Sequence, residues 1–329
     1  MRGLEFIIVD PEIPEGRFEW GMERNQIFDL YYKAEELFEV KEFEKAEEIY
    51  KTVIDKDPEF IDAYVSLGYI DRKIGNHEKA YNIFQKGYEI GNQLIPEKFN
   101  GEIIWGFIDN RPFLRAVKGL GLSSLSTGKP EEAIELFQSL LNFNSNDNQG
   151  VRYLLGDAFL NAGYFDKAEK IFSENLDFSP NRYNYALILV VQNKLLSAIT
   201  QFRKAFLDNV YIAEFLVNET PKVDYFSKRF SNYHMLETAF SYLKNNPFLW
   251  SNNPKSFSIL NFLFNHEKVI EDIEQYYSLK NKLADIEGIE ECKMNKRKSF
   301  LRKIDAFQAT ITEKSSSVFL EEIKGKKIV

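Results

Sequence analysis

The sequence predicts an all-α chain built as an array of helical repeats, and three observations predict it. A small residue is followed twelve positions later by Ala, and four positions after that by an aromatic, at five places along the chain. Gly75, Gly128 and Gly163 fall between the small residue and the Ala, where a turn would join two helices. Hydrophobic residues make up 44% of the 329 and charged residues 28%, enough apolar surface to bury a core and too much for a disordered chain.

The five matches are Ala34/Ala46/Tyr50, Gly68/Ala80/Phe84, Gly121/Ala133/Phe137, Gly156/Ala168/Phe172 and Ala186/Ala198/Phe202. The small residue sits on a first helix and the Ala opens the second. Facing small residues let the axes approach toward the short end of the roughly 8–10 Å range. The aromatic shares the face of its Ala and fills the space toward the next pair. Glu44, Glu78, Glu131 and Asp166 stand near the start of each second helix, where the helix dipole favours negative charge; Leu196 breaks the rule in the fifth unit. Pro58 and Pro180 close units one and four, where proline is tolerated at a helix start.

This pattern resembles the tetratricopeptide repeat (TPR), a 34-residue helix-turn-helix with small, Ala, aromatic and Pro positions in this order. The resemblance implies a right-handed superhelix of five units over about 27–212, closed by C-terminal capping helices. The Ala-to-Ala intervals are 34, 53, 35 and 30, so the second junction carries an insertion of 19 (53 minus 34) at about 91–110. It contains Pro96, Gly101, Trp105 and Gly106 and ends in Asn110-Arg111-Pro112, which reads as a helix start. Residues 110–116 and 144–155 further resemble a block in uncharacterised bacterial TPR proteins and in the suppressor of tumorigenicity seven family, a likeness that implies fold and no activity.

Outside the array, 1–26 reads as an N-terminal extension. Residues 213–265 read as degenerate capping helices with Phe248, Trp250, Phe257 and Phe262 in their core. Over 266–329 the apolar residues Ile270, Ile273, Tyr277, Leu283 and Ile286 recur at helical spacing amid dense charge, which predicts an amphipathic helical tail. Gly288 and Ser315–Ser317 read as breaks, and the last dozen residues as loosely ordered.

Composition and motifs narrow the chemistry. A net charge of -8 argues against a general nucleic-acid binder. The lone Cys292 makes neither an internal disulfide nor a zinc cluster, and fits a reducing, cytoplasmic setting. No apolar run approaches the roughly 20 residues of a membrane span. His77, His234 and His266 do not pair at ligand spacing, so no metal, cofactor or catalytic set is expected. Gly119-Leu-Gly lacks the rest of a dinucleotide fingerprint, and Asn144–Gly150 lacks the closing Glu of a calcium loop; Asp147 or Asn148 is better placed to cap the helix that follows.

By the resemblance, the first helix of each pair lines a concave groove. The residues expected to meet a partner there are Tyr31, Tyr69, Arg72, Arg111, Arg115, Lys118, Tyr153, Asp157 and Tyr183. Tyrosine supplies broad contact at low entropic cost, and the cations supply hydrogen bonds to an acidic segment. The carboxylate clamp of chaperone-cochaperone TPR domains is absent, since Tyr31 and Glu35 stand where it needs Lys and Asn. Arg152 occupies an aromatic slot and is expected half-buried and paired with Asp157 or Asp147. The expected function is a non-enzymatic scaffold or adaptor gripping a segment of another protein. The alternatives are self-association through 266–313, giving a homo-oligomer, and nucleic-acid binding through the basic run Lys293, Lys296, Arg297, Lys298, Arg302 and Lys303.

Overall fold

The computed structural model describes residues 3–10, 14–20, 25–226, 229–286 and 291–328. These residues form two compact units, Met1–Gly163 and Tyr164–Val329. Sixteen α-helices carry the fold among the described residues, with one small sheet.

The first unit holds three helix pairs and the opening helix of a fourth: α1 (Asn25–Glu39) with α2 (Phe43–Lys56), α3 (Ile61–Ile74) with α4 (His77–Leu94), α5 (Arg111–Ser126) with α6 (Pro130–Phe143), then α7 (Val151–Asn161). The template residues are fully buried: Ala34, Ala46, Ala80, Ala133, Tyr50, Phe84 and Phe137 all show 0% exposure. Each buried aromatic contributes roughly 1.5–3 kcal/mol, so the repeat register is where the unit's stability concentrates. The glycines have a second role beyond axis approach. A methyl group at Gly68 would fall 2.7 Å from the Phe84 ring and one at Gly119 2.1 Å from it, so Phe84 is clasped between two consecutive first helices. Gly75 and Gly128 end α3 and α5 at φ +88 and +75, a left-handed turn that L side chains resist.

The N-terminal extension is an antiparallel hairpin, β1 (Leu4–Asp10) and β2 (Glu15–Trp20), in the register Phe6 opposite Phe18. Its alternation was present in the sequence: Phe18 and Trp20 alternate with Arg17 and Glu19. The insertion begins later than expected, because α4 continues helically to Leu94 with Gly91 buried against Phe113. It then folds onto the hairpin. Gly16 N–H donates to Glu102 O at 2.8 Å and Glu102 N–H to Pro14 O at 2.9 Å, and a methyl at Gly101 would meet Pro14 O at 1.7 Å. Asn110 does not cap α5 with its side chain. It accepts from Phe18 N–H at 2.8 Å and donates to Ile104 O at 3.0 Å, tying hairpin to insertion. At the helix that follows the Asn-rich turn, Asp147 accepts from Val151 N–H at 2.5 Å and pairs with Arg152 Nε at 2.7 Å. Arg152 is thus paired with Asp147 and half-buried, as expected: its own side chain is 53% exposed and that of Asp147 2%.

The second unit begins with α8 (Phe165–Glu174), α9 (Ser179–Val191) and α10 (Leu195–Asp208), followed by α11 (Val210–Val217), α12 (Arg229–Asn245), α13 (Pro254–Phe264), α14 (Glu267–Ala284), α15 (Glu291–Ala309) and α16 (Glu313–Gly325). Helix α10 is central and meets α9, α11, α13, α14 and α16. Phe248 is 56% exposed rather than core; Trp250, Ile259, Leu260, Leu263 and Phe264 form the buried set, since Phe248 sits on a turn between α12 and α13. The tail has its packing partner within the unit: Val269, Ile273, Tyr276 and Tyr277 of α14 are buried, as are Phe319 and Ile323 of α16. Ser315–Ser317 lie inside α16, where Ser315 completes a capping box with Thr312, so a serine run reads as a helix start and not a break. The final dozen residues are accordingly helical as far as Gly325, while Gly288 lies outside the described residues.

Candidate partner-binding face

In the first unit the first helices α1, α3, α5 and α7 present the expected residues, but not all at a surface. Tyr31 is 7% exposed; its hydroxyl lies 3.3 Å from Ser66 Oγ, and burial beside Asp62 and Glu35 pushes its ionisation well above the ordinary tyrosine value. Arg72 is 6% exposed and donates to Ser126 Oγ at 3.3 Å, with burial lowering its pKa to about 10. Asp157 is also buried. Tyr31 ties α1 to α3 and Arg72 ties α3 to α5.

Tyr69, Arg111, Arg115, Lys118 and Tyr153 remain partly open. Tyr69 packs edge-on to Phe84 at 5.2 Å, and burial raises its hydroxyl against the opposing pull of Arg72 and Arg115. Lys118 donates to Gln149 O at 2.9 Å, and burial lowers its ammonium. Arg115 reaches Asp62 at 3.5 Å. Asp62 is raised to about 6, first by burial and then by Glu35 and Asp109, with Arg115 opposing. Glu35 accepts from Ser66 Oγ at 2.9 Å and from the Tyr50 hydroxyl. The face therefore runs from carboxylates on α1 and α3 to cations on α5.

Sequence reasoning overlooked Trp105 as part of this face. The Arg111 and Arg115 guanidiniums lie 5.2 and 5.6 Å from its ring centroid, and Arg111 Nε donates to its carbonyl at 3.1 Å. A lone tryptophan in an insertion, nine residues after Pro96 and seven before Pro112, was the available signal.

In the second unit Tyr183 is 0% exposed. Its hydroxyl donates to Asn209 O at 2.7 Å, and its ring lies 6.5 Å from Tyr242 of α12. Tyr242 in turn donates to Asn184 at 2.7 Å, so α12 covers the face that α9 would otherwise offer. The basic run lies on α15, with Lys296, Arg297, Lys298, Arg302 and Lys303 exposed. Asp272 of α14 pairs with Arg203 at 2.8 Å. Among the described residues no three His, Cys, Asp or Glu side chains converge to hold a metal ion, and no helix is long and apolar enough to cross a membrane.

Family profiles described as tetratricopeptide repeat match residues 61–91, which span α3 and α4, and residues 124–189, from the end of α5 into α9. Neither profile is of the suppressor of tumorigenicity seven family. Among solved structures, the chain is similar to YrrB, described as a TPR protein with an unusual peptide-binding site, at 19% identity and a TM-score of 0.44 over 57% of this chain and 89% of that one. It is also similar to a variant of a putative kinesin light chain from Podosopora anserina with nearly identical TPR-like repeats, at 12% identity and a TM-score of 0.38 over 69% of this chain and 99% of that one. With helix pairs in the register read from the sequence and repeat profiles matching at 61–91 and 124–189, the chain carries tetratricopeptide repeats.

Proposed function

We propose that the chain is a non-catalytic adaptor, working in the cytoplasm, that holds a segment of another protein on the face of α3, α5 and α7. The observation that carries this reading is the partly open set Tyr69, Arg111, Arg115, Lys118 and Tyr153, which combines aromatic surface with half-buried cations, among them Lys118, whose ammonium burial has partly stripped of water. Cations in such a setting bind a carboxylate more strongly than solvated ones do, because the desolvation cost has already been met by folding. Tyr31, Arg72, Asp157 and Tyr183, being buried, support the face from beneath or belong to the cores.

A peptide library of acidic, basic and neutral segments, read by fluorescence anisotropy, tests this. Acidic segments containing apolar residues are expected to bind, and an Arg115→Glu, Lys118→Glu, Tyr153→Ala variant of unchanged helicity is expected to lose at least about tenfold in affinity, or ~1.4 kcal/mol. Undiminished binding by that variant removes the face from the function. A second reading, an anionic polymer on α15, is favoured by the exposure of Lys296, Lys298, Arg302 and Lys303. It requires affinity for single-stranded nucleic acid that falls with salt at a log-log slope of about -0.7 per phosphate contacted, and a flat salt response disposes of it.

A further inference from the structure

Arg111 and Arg115 stand one helical turn apart at the start of α5, and both guanidiniums rest on one indole, Trp105. The Trp105 carbonyl fixes Arg111 through Nε, which leaves the terminal amino groups of Arg111 without a partner among the described residues. Among the described residues Arg115 has a single carboxylate neighbour, Asp62, through one contact at 3.5 Å. A guanidinium offers a planar fork that matches a carboxylate through two parallel bonds. Here two forks are aligned by one aromatic ring, and among the described residues only that of Arg115 meets a carboxylate, through a long single contact.

We propose that Arg111, Arg115 and Trp105 form a clamp for a carboxylate of the partner segment, and that Asp62 occupies Arg115 as an internal substitute which an incoming acidic side chain displaces. This rests on the reading that the face binds a partner. The insertion is then a recognition element, since it brings Trp105 to the two arginines. Displacement leaves the Asp62 carboxyl facing Glu35 and Tyr31 of α1, Tyr50 of α2 and Asp109 of the 3-10 turn Ile108–Asn110, with Glu19 of β2 beyond. Of the cations, Arg72 of α3 acts with Arg115 on Tyr69, and Lys118 follows Arg115 by three residues on α5. Deprived of Arg115 among those carboxylates, Asp62 takes up a proton. Binding of an acidic segment is therefore tighter below the titration of Asp62 than above it.

The test uses the full chain and a penta-aspartate peptide, followed by NMR of the tryptophan indole N–H groups. The Trp105 signal, identified by its loss in Trp105→Phe, is expected to move on titration while those of Trp20 and Trp250 stay. Affinity is expected to rise at least about threefold from about pH 7.5 to about pH 5.5. Asp62→Asn is expected to bind at the higher pH as tightly as the unaltered chain does at the lower, with no pH dependence, and Arg111→Gln to weaken binding several-fold in both backgrounds. Equal affinity and equal pH dependence of the unaltered chain and Asp62→Asn overturn the clamp, as does an unmoved Trp105 signal. If peptides are lost by the Arg115/Lys118/Tyr153 variant yet bind Asp62→Asn and Arg111→Gln as they bind the unaltered chain, the partner face stands and only the clamp fails.

Discussion

Tyr153 and Tyr183 hold the same place in consecutive repeats, each three residues before the small residue of its first helix, yet they meet different fates. In the first unit Tyr153 stays partly open on α7 beside the cations of α5. In the second, Tyr183 is sealed by α11 and α12, its hydroxyl spent on the Asn209 carbonyl. The repeat fixes which way a side chain points; what lies over it is decided by segments outside the repeat. In the second unit those segments are numerous, and a buried cation holds them. Arg203 of α10 is 4% exposed, pairs with Asp272 of α14, donates to Ser315 and Ser316 of α16 at 3.1 and 3.0 Å, and lies over Phe319 at 4.8 Å.

The sharpest way to break the comparison is to remove that cation. Arg203→Ala leaves Asp272 and two hydroxyls without their partner and is expected to lower stability by about 3–5 kcal/mol, whereas Arg115→Ala on the open face costs about 0.5 kcal/mol or less. Urea unfolding with hydrogen exchange in α10, α14 and α16 reads both, and similar losses would mean that the two faces are equally structural. Next in size is Asp62. Its carboxyl titrates near 6 when folded, above the ordinary 3.8, so the folded chain retains a proton that the unfolded chain has released. The resulting stabilisation is full below the unfolded value and is lost as pH rises through about 6. Asp62→Asn should therefore flatten the pH dependence of the melting temperature across that window and raise stability at neutral pH by about 1–3 kcal/mol; an unchanged profile would place the titration elsewhere. The smallest effect separates the two tyrosines directly. Tyr183→Phe strands a buried carbonyl and should cost about 1–2 kcal/mol, while Tyr153→Phe should lie within about 0.5 kcal/mol, both by thermal unfolding.

The helix pairs were legible because their signal is local: Gly68, Ala80 and Phe84 lie within seventeen residues, and helical geometry alone brings them together. The Asp147 cap was legible for the same reason. The hairpin was half legible, since the alternation through Phe18 and Trp20 is plain, but its reason for existing is Asn110 and Glu102, which lie far along the chain. The candidate face was legible in its cations and in Tyr69 and Tyr153. The burial of Tyr183 was not, because α12 has no periodic relation to α9. Nor was Arg72, whose seat against Ser126 depends on how α3 and α5 meet at their C-terminal ends.

The clasp between β2 and Asn110 carries a consequence for synthesis. Its two halves are 92 residues apart, so at roughly 5–20 residues per second the hairpin leaves the ribosome about 5–20 s before the residue that fastens it exists. During that interval helices α1 to α4 can form from neighbouring contacts alone, while a strand pair with Phe6 and Phe18 has no insertion to lie against. The newborn chain thus depends on its nascent environment to keep that hairpin apart from other chains, and arrested fragments ending before Asn110 should be cut by protease within β1 and β2 where fragments extended past α5 are spared.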